Sequence, residues 1–201
     1  MDTAHPDGPP RLTIPAELLP GVNRLVDVAV IYDLDYLSHA GPGGARVDNA
    51  TLVTLARVVE VSAGACGRLS YVRAACSTAT ANVHRLALVG AANNTWQAVT
   101  GRHGADLCVV AELNHLVRTL RVRLVVLVAG ENAYVAPVLA LRSAGVEVWL
   151  LYRPGSLSWR LYQAATSATP LPTGLAVASH ADGRCSRVAA LPGERPNGVS
   201  A

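Results

Sequence analysis

Carboxylates occur at three well-separated points of this sequence where apolar and polar segments meet. Tyr32-Asp33-Leu34-Asp35 closes one apolar run. Gly101-Arg102-His103-Gly104-Ala105-Asp106 leads into a periodic segment, and Ala129-Gly130-Glu131-Asn132 closes the most apolar run of all. Carboxylate oxygens hold hard divalent cations such as Mg²⁺ or Mn²⁺, with water filling the remaining positions. A cation so held can activate water and stabilise a phosphate leaving group. Asp33, Asp106 and Glu131 are therefore candidate catalytic and metal-ligating residues, and Asp35 is a candidate further ligand. Arg102 and His103 stand beside Asp106 and are candidates to hold a substrate's negative charge. Asn132 is a candidate to place a water at the substrate. Each residue also has a plainer reading. Asp33 and Asp106 can cap helices, Glu131 can be an exposed turn residue, Asp35 a loop acid, and Arg102 and His103 a solvated turn. Glu112 lies about 240° round a helix from Asp106, so the two do not share a face.

The elements that must position these residues alternate along the chain. Strands are predicted over Val26–Tyr32, Leu69–Ala74, Trp96–Thr100, Val122–Val128 and Val146–Tyr152, all apolar or β-branched. Helices are predicted over Asn49–Ser62 behind an Asp48 cap, from Ser77 or Thr78 to Ala92, over Ala105–Thr119, over Ala133–Ser143 closed by Gly145, and over Ser156–Ala165. Ser38–Arg46, with its Gly-Pro-Gly-Gly run, reads as a loop, and Ile14–Leu19 allows one short helix. Strand–helix alternation implies an α/β fold: a parallel sheet of about five strands, covered on both faces in three α/β/α layers. Such sheets bind ligands outside the carboxyl ends of their strands, near the switch in strand order. Residues 1–25 read as a flexible N-terminal arm and 26–171 as the folded domain. Residues 172–201 read as a tail, disordered or forming a short hairpin around Ala181-Asp182-Gly183.

Composition narrows the function classes. The chain has 201 residues, 51% hydrophobic and 15% charged, enough for a sizeable core and too apolar for global disorder. Its mean hydropathy is +0.29, yet no apolar run approaches the roughly 18–20 residues of a membrane span. No membrane partner is expected, although so apolar a chain would suit a homodimer. The first residues, Met1, Asp2, His5, Pro6 and Asp7, show no secretory pattern, so a cytoplasmic protein is expected. All 17 basic residues are arginine, as a GC-rich genome favours, and the net charge of +3 permits nucleic-acid binding without requiring it. The four cysteines form no Cys-x-x-Cys, which argues against structural zinc. Gly41, Gly43 and Gly44 do not make a dinucleotide-binding fingerprint, and no nucleophile elbow marks a serine hydrolase. Trp96, Trp149 and Trp159 read as core or interface fillers, with base stacking as the alternative use.

The order of these elements and their closing residues resembles the NYN domain of the PIN-like nuclease superfamily, from about Val26 to Leu171. That family closes its first strand with an Asp, matched by Asp33, followed shortly by an Asn, where Tyr36 stands here. A glycine-containing turn then leads to an Asp at the third helix, matched by Arg102-His103-Gly104-Ala105-Asp106, and Glu112 matches a further acid of that helix. The family's Ser-Gly-Asp-x-Asp-Phe signature reads Ala129-Gly130-Glu131-Asn132-Ala133-Tyr134. Ser156-Leu157-Ser158 with Leu161 and Ala164 resembles the family's closing helix. The resemblance implies a PIN-like, Rossmann-like fold and a metal-dependent ribonuclease. Asp33, Asp106 and Glu131 would hold Mg²⁺ or Mn²⁺ against single-stranded or structured RNA. Ala133 replaces one family acid, and Glu131 carries one methylene more than the family's Asp, a shift that can cost about a hundredfold in rate. These departures imply an alternative: a catalytically impaired relative that binds RNA or a protein partner.

Overall fold

The computed structural model describes residues 12–19, 26–90, 95–101, 103–119 and 121–172. Six strands, β1 Asp27–Asp33, β2 Arg68–Ser77, β3 Thr95–Val99, β4 Leu124–Val128, β5 Glu147–Tyr152 and β6 Ser167–Pro170, form one sheet in the order β3-β2-β1-β4-β5-β6. Every neighbouring pair is parallel. The helices are α1 Leu34–Ser38, α2 Asn49–Cys66, α3 Thr78–Val83, α4 Arg85–Gly90, α5 Gly104–Thr119, α6 Val135–Ser143 and α7 Trp159–Ala164, with a 3-10 turn over Asn132–Tyr134. The expected three-layer α/β/α architecture is present, with six strands rather than five.

Alternation along the central strands divides the interior into two cores. In β1, Val28, Val30 and Tyr32 face α2, α3 and α4, whereas Ala29 and Ile31 face α5 and α6. In β4, Leu124, Val126 and Val128 face the first side, and Val125 and Leu127 the second. Burial on both faces explains why these strands read as unbroken apolar runs. The period of two also sets the direction of Asp33, which follows Ile31 by two positions and so turns toward the α5 side.

Three elements depart from the expected pattern. α1 forms inside the stretch expected to lead into a loop, because the Asp33 carboxylate accepts from the Tyr36 amide at 3.0 Å and caps it. The helix expected from Ser77 to Ala92 is broken at His84. That residue is buried, leaves helical geometry, and sits with Nδ1 2.9 Å from the Asn49 side-chain oxygen. β6 has polar residues and ends in Pro170, which suits an edge strand. It is fixed by the fully buried Trp149, whose Nε1 donates to Thr169 Oγ1 at 2.9 Å. Within the expected arm, Leu12 and Leu18 are buried in the first core, and the Thr169 hydroxyl donates to the Thr13 carbonyl at 3.3 Å. The remainder of that arm, 1–11 and 20–25, and the tail beyond 172 with its expected hairpin lie outside the described residues. Among the described residues no helix is long and apolar enough to cross a membrane.

Candidate metal centre

The strand order reverses between β1 and β4, and the crevice of a doubly wound sheet opens at the carboxyl ends of that pair. Asp33 ends β1, and Glu131 follows β4 by three residues. α5 packs on β1 and β2, and its first turn carries Asp106 where the helix dipole favours an anion. Topology thus brings three sequence-distant acids to one place. One carboxylate oxygen from each of Asp33, Asp106 and Glu131 lies within 4.8 Å of the others.

The three carboxylates have different surroundings. Asp33 is 2% exposed. Its Oδ1 accepts from the Tyr36 amide and its Oδ2 from the Tyr134 hydroxyl at 2.7 Å. Burial pushes its carboxyl pKa up to about 6; the two hydrogen bonds oppose that rise, and the charges of Asp106 and Asp35 add to it. Asp106 is half-buried. Its Oδ1 accepts from Tyr134 at 3.0 Å, and its Oδ2 lies 3.1 Å from His103 Nδ1. Glu131 reaches into the cleft from the exposed side, and partial desolvation, then the Asp106 charge, raises its pKa above the ordinary value.

Tyr134 is the residue whose role the sequence reading missed. It is fully buried, and its hydroxyl stands between Asp33 and Asp106. A phenol has one proton, so it can satisfy one of the two carboxylates at a time. Burial and the two acids raise its pKa far above 10, so it remains a donor. The chain contains no Phe. A Tyr at an aromatic position therefore carries no signal that its hydroxyl is used.

The surrounding loops are tied together. Tyr36 donates to the Ser156 carbonyl at 2.6 Å, accepts from the Arg153 amide at 2.8 Å, and lies under the Arg153 guanidinium at 4.6 Å. Its ring crosses Gly130 so closely that a Cβ there would fall 2.6 Å from Tyr36 Cζ. The glycine before Glu131 is therefore required by close approach. Asn132 Oδ1 accepts from the Ser158 hydroxyl, and the Ser158 amide donates to the Gly130 carbonyl at 2.8 Å.

Not every expected residue joins the centre. Asp35 is not one of the three clustered acids: its carboxylate accepts from the Ser77 amide at 3.0 Å and from the Ser77 hydroxyl at 2.9 Å, bracing the start of α3. Expected as a further metal ligand, it is held here in a structural role by Ser77. Glu112 faces β2, where its Oε2 accepts from Tyr71. Ala133 is exposed and offers no ligand. His103 is exposed beside Asp106 with a left-handed φ of 63°, and Arg102 lies outside the described residues.

A cation site needs a donor set it can close. Mg²⁺ at 2.0–2.1 Å from its ligands places adjacent oxygens about 3 Å apart and opposite ones about 4 Å apart. One oxygen from each acid within 4.8 Å of the others is compatible with that range. Glu131, exposed and one methylene longer than Asp, has freedom to adjust, so the residues present fit a hard divalent cation.

No family model matches the sequence, and no curated protein matches it. The fold is similar to the crystal structure of a protein of unknown function from Vibrio parahaemolyticus. The identity is 13%, the match covers 76% of this chain and 97% of that one, and the TM-score is 0.52. At that identity the likeness concerns the fold alone.

Proposed function

We propose that this chain is a PIN-like, metal-dependent ribonuclease of the NYN kind. The observation that supports it most is the convergence of Asp33, Asp106 and Glu131 at the switch point of a doubly wound sheet, with Asp33 buried and held from both oxygens. Bound Mg²⁺ or Mn²⁺ supplies Lewis acidity toward a phosphodiester and lowers the pKa of an attacking water. The protein's own part is positional. The Tyr36 amide and the Tyr134 hydroxyl fix the Asp33 carboxylate, α5 fixes Asp106, and the 130–134 turn presents Glu131. His103 lies exposed beside Asp106 and Asn132 follows Glu131, so both are within the same cleft's rim for contact with a substrate.

A second reading, a catalytically impaired relative that binds RNA or a protein, draws on a specific observation. The Tyr134 hydroxyl gives Asp33 and Asp106 a partner that needs no metal, and position 133 contributes no acid. Cleavage of labelled single-stranded RNA with Mn²⁺ or Mg²⁺, and with EDTA, separates the two. Metal-dependent cleavage abolished by Asp33→Asn and by Asp106→Asn supports the ribonuclease. No cleavage, or cleavage surviving both substitutions, contradicts it.

A further inference from the structure

The tryptophans sort by environment in a way that composition did not show. Trp149 is fully buried and Trp96 half-buried, but Trp159 is 66% exposed and its neighbour Tyr162 is 43% exposed. Their rings stack, with centroids 5.4 Å apart and planes 13° from parallel. The core does not use them: α7 anchors itself through Leu161 and Ala164. The pair stands at the carboxyl edge of the sheet. Trp159 follows Ser158, which bonds the Gly130 carbonyl and the Asn132 side chain and so joins α7 to the turn that carries Glu131. Arg160, also exposed, lies next to it.

A cleft lined by carboxylates repels a polyanion, so affinity for RNA must come in part from contacts away from the phosphate. Stacking on an aromatic face provides such contacts for any base. We propose that Trp159 and Tyr162 form a stacking platform for a nucleobase of single-stranded RNA lying at the acidic centre, an inference that rests on the ribonuclease reading above. A second copy of the chain is the less suitable occupant. Together the two rings offer at most about 300–500 Å², short of the roughly 800 Å² per partner of a stable interface.

The test is fluorescence anisotropy in EDTA with a short labelled RNA of mixed sequence and an abasic counterpart of equal length and charge. Wild type is expected to prefer the RNA with bases. Trp159→Ala is expected to lose about tenfold in affinity for it, with little change for the abasic strand, and Trp159→Phe to retain most of the binding. Mn²⁺ affinity, measured by calorimetry, is expected to be the same in Trp159→Ala and wild type. Equal RNA binding by wild type and Trp159→Ala would overturn the platform and leave the metal centre standing. A dimer in sedimentation that Trp159→Ala dissociates would also overturn it, in favour of a protein interface. Wild type that binds RNA through Trp159 but neither binds Mn²⁺ nor cleaves would support the platform and overturn the ribonuclease reading.

Discussion

At the scale of single residues, the centre is a place where charge is concentrated at a cost to stability. Asp33 has an ordinary pKa of 3.8 and a folded value of about 6, mainly because it is buried. The native state therefore binds its proton more tightly than the unfolded state does. The metal-free protein has its full stability from this group below about pH 4. It loses that stability as the pH rises to about 6, by roughly 3 kcal/mol if Asp33 titrates alone. Asp33→Asn removes the charge and keeps the contacts. The amide oxygen can still accept from Tyr36, and the amide nitrogen can donate to the Tyr134 oxygen, which frees the phenol proton for Asp106. Urea denaturation in EDTA at pH 8 should therefore show Asp33→Asn more stable than wild type by about 1–3 kcal/mol, with the difference vanishing near pH 4. A less stable variant at pH 8 would contradict this. Asp33, Asp106 and Glu131 were legible in the sequence because each stands where a strand or helix must begin or end. Asp35 stands two residues beyond Asp33, but the chain is already helical there and its carboxylate is engaged by Ser77.

At the scale of elements, the loops after β1, β4 and β5 hold one another. Tyr36 bridges them, and Gly130 leaves the space its ring occupies. Gly130→Ala should push the Glu131 turn away from the Tyr36 ring and the Ser156 carbonyl. A loss of about 1–3 kcal/mol is expected in thermal or urea unfolding, together with weaker Mn²⁺ binding. Unchanged stability would show that the contact is slack. Asp35→Asn should behave in the opposite way at the centre. It weakens the Ser77 contact, for a loss of about 1 kcal/mol, and leaves Mn²⁺ affinity near that of wild type. A tenfold loss of Mn²⁺ affinity would return Asp35 to the ligand set. The long helices and central strands were readable because apolar spacing dictates them. α1 and β6 were not: one depends on a capping bond, the other on a tertiary hydrogen bond from Trp149.

At the scale of the molecule, a parallel sheet covered on both faces followed from strand–helix alternation, but strand order did not. Only the packed structure places β4 beside β1, and that juxtaposition turns three scattered acids into one centre. The Tyr134 bridge and the Trp159–Tyr162 platform belong to the same level, since each depends on which elements become neighbours. The whole reading rests on one cation held by one acidic cluster. The most direct test is a Mn²⁺ titration followed by the electron paramagnetic resonance of the free ion, on wild type, Asp33→Asn and Asp106→Asn at pH 8. Uptake of Mn²⁺ by wild type that both substitutions abolish is the expected result. No uptake by wild type, or uptake unchanged in both variants, would contradict the metal centre and the ribonuclease built on it.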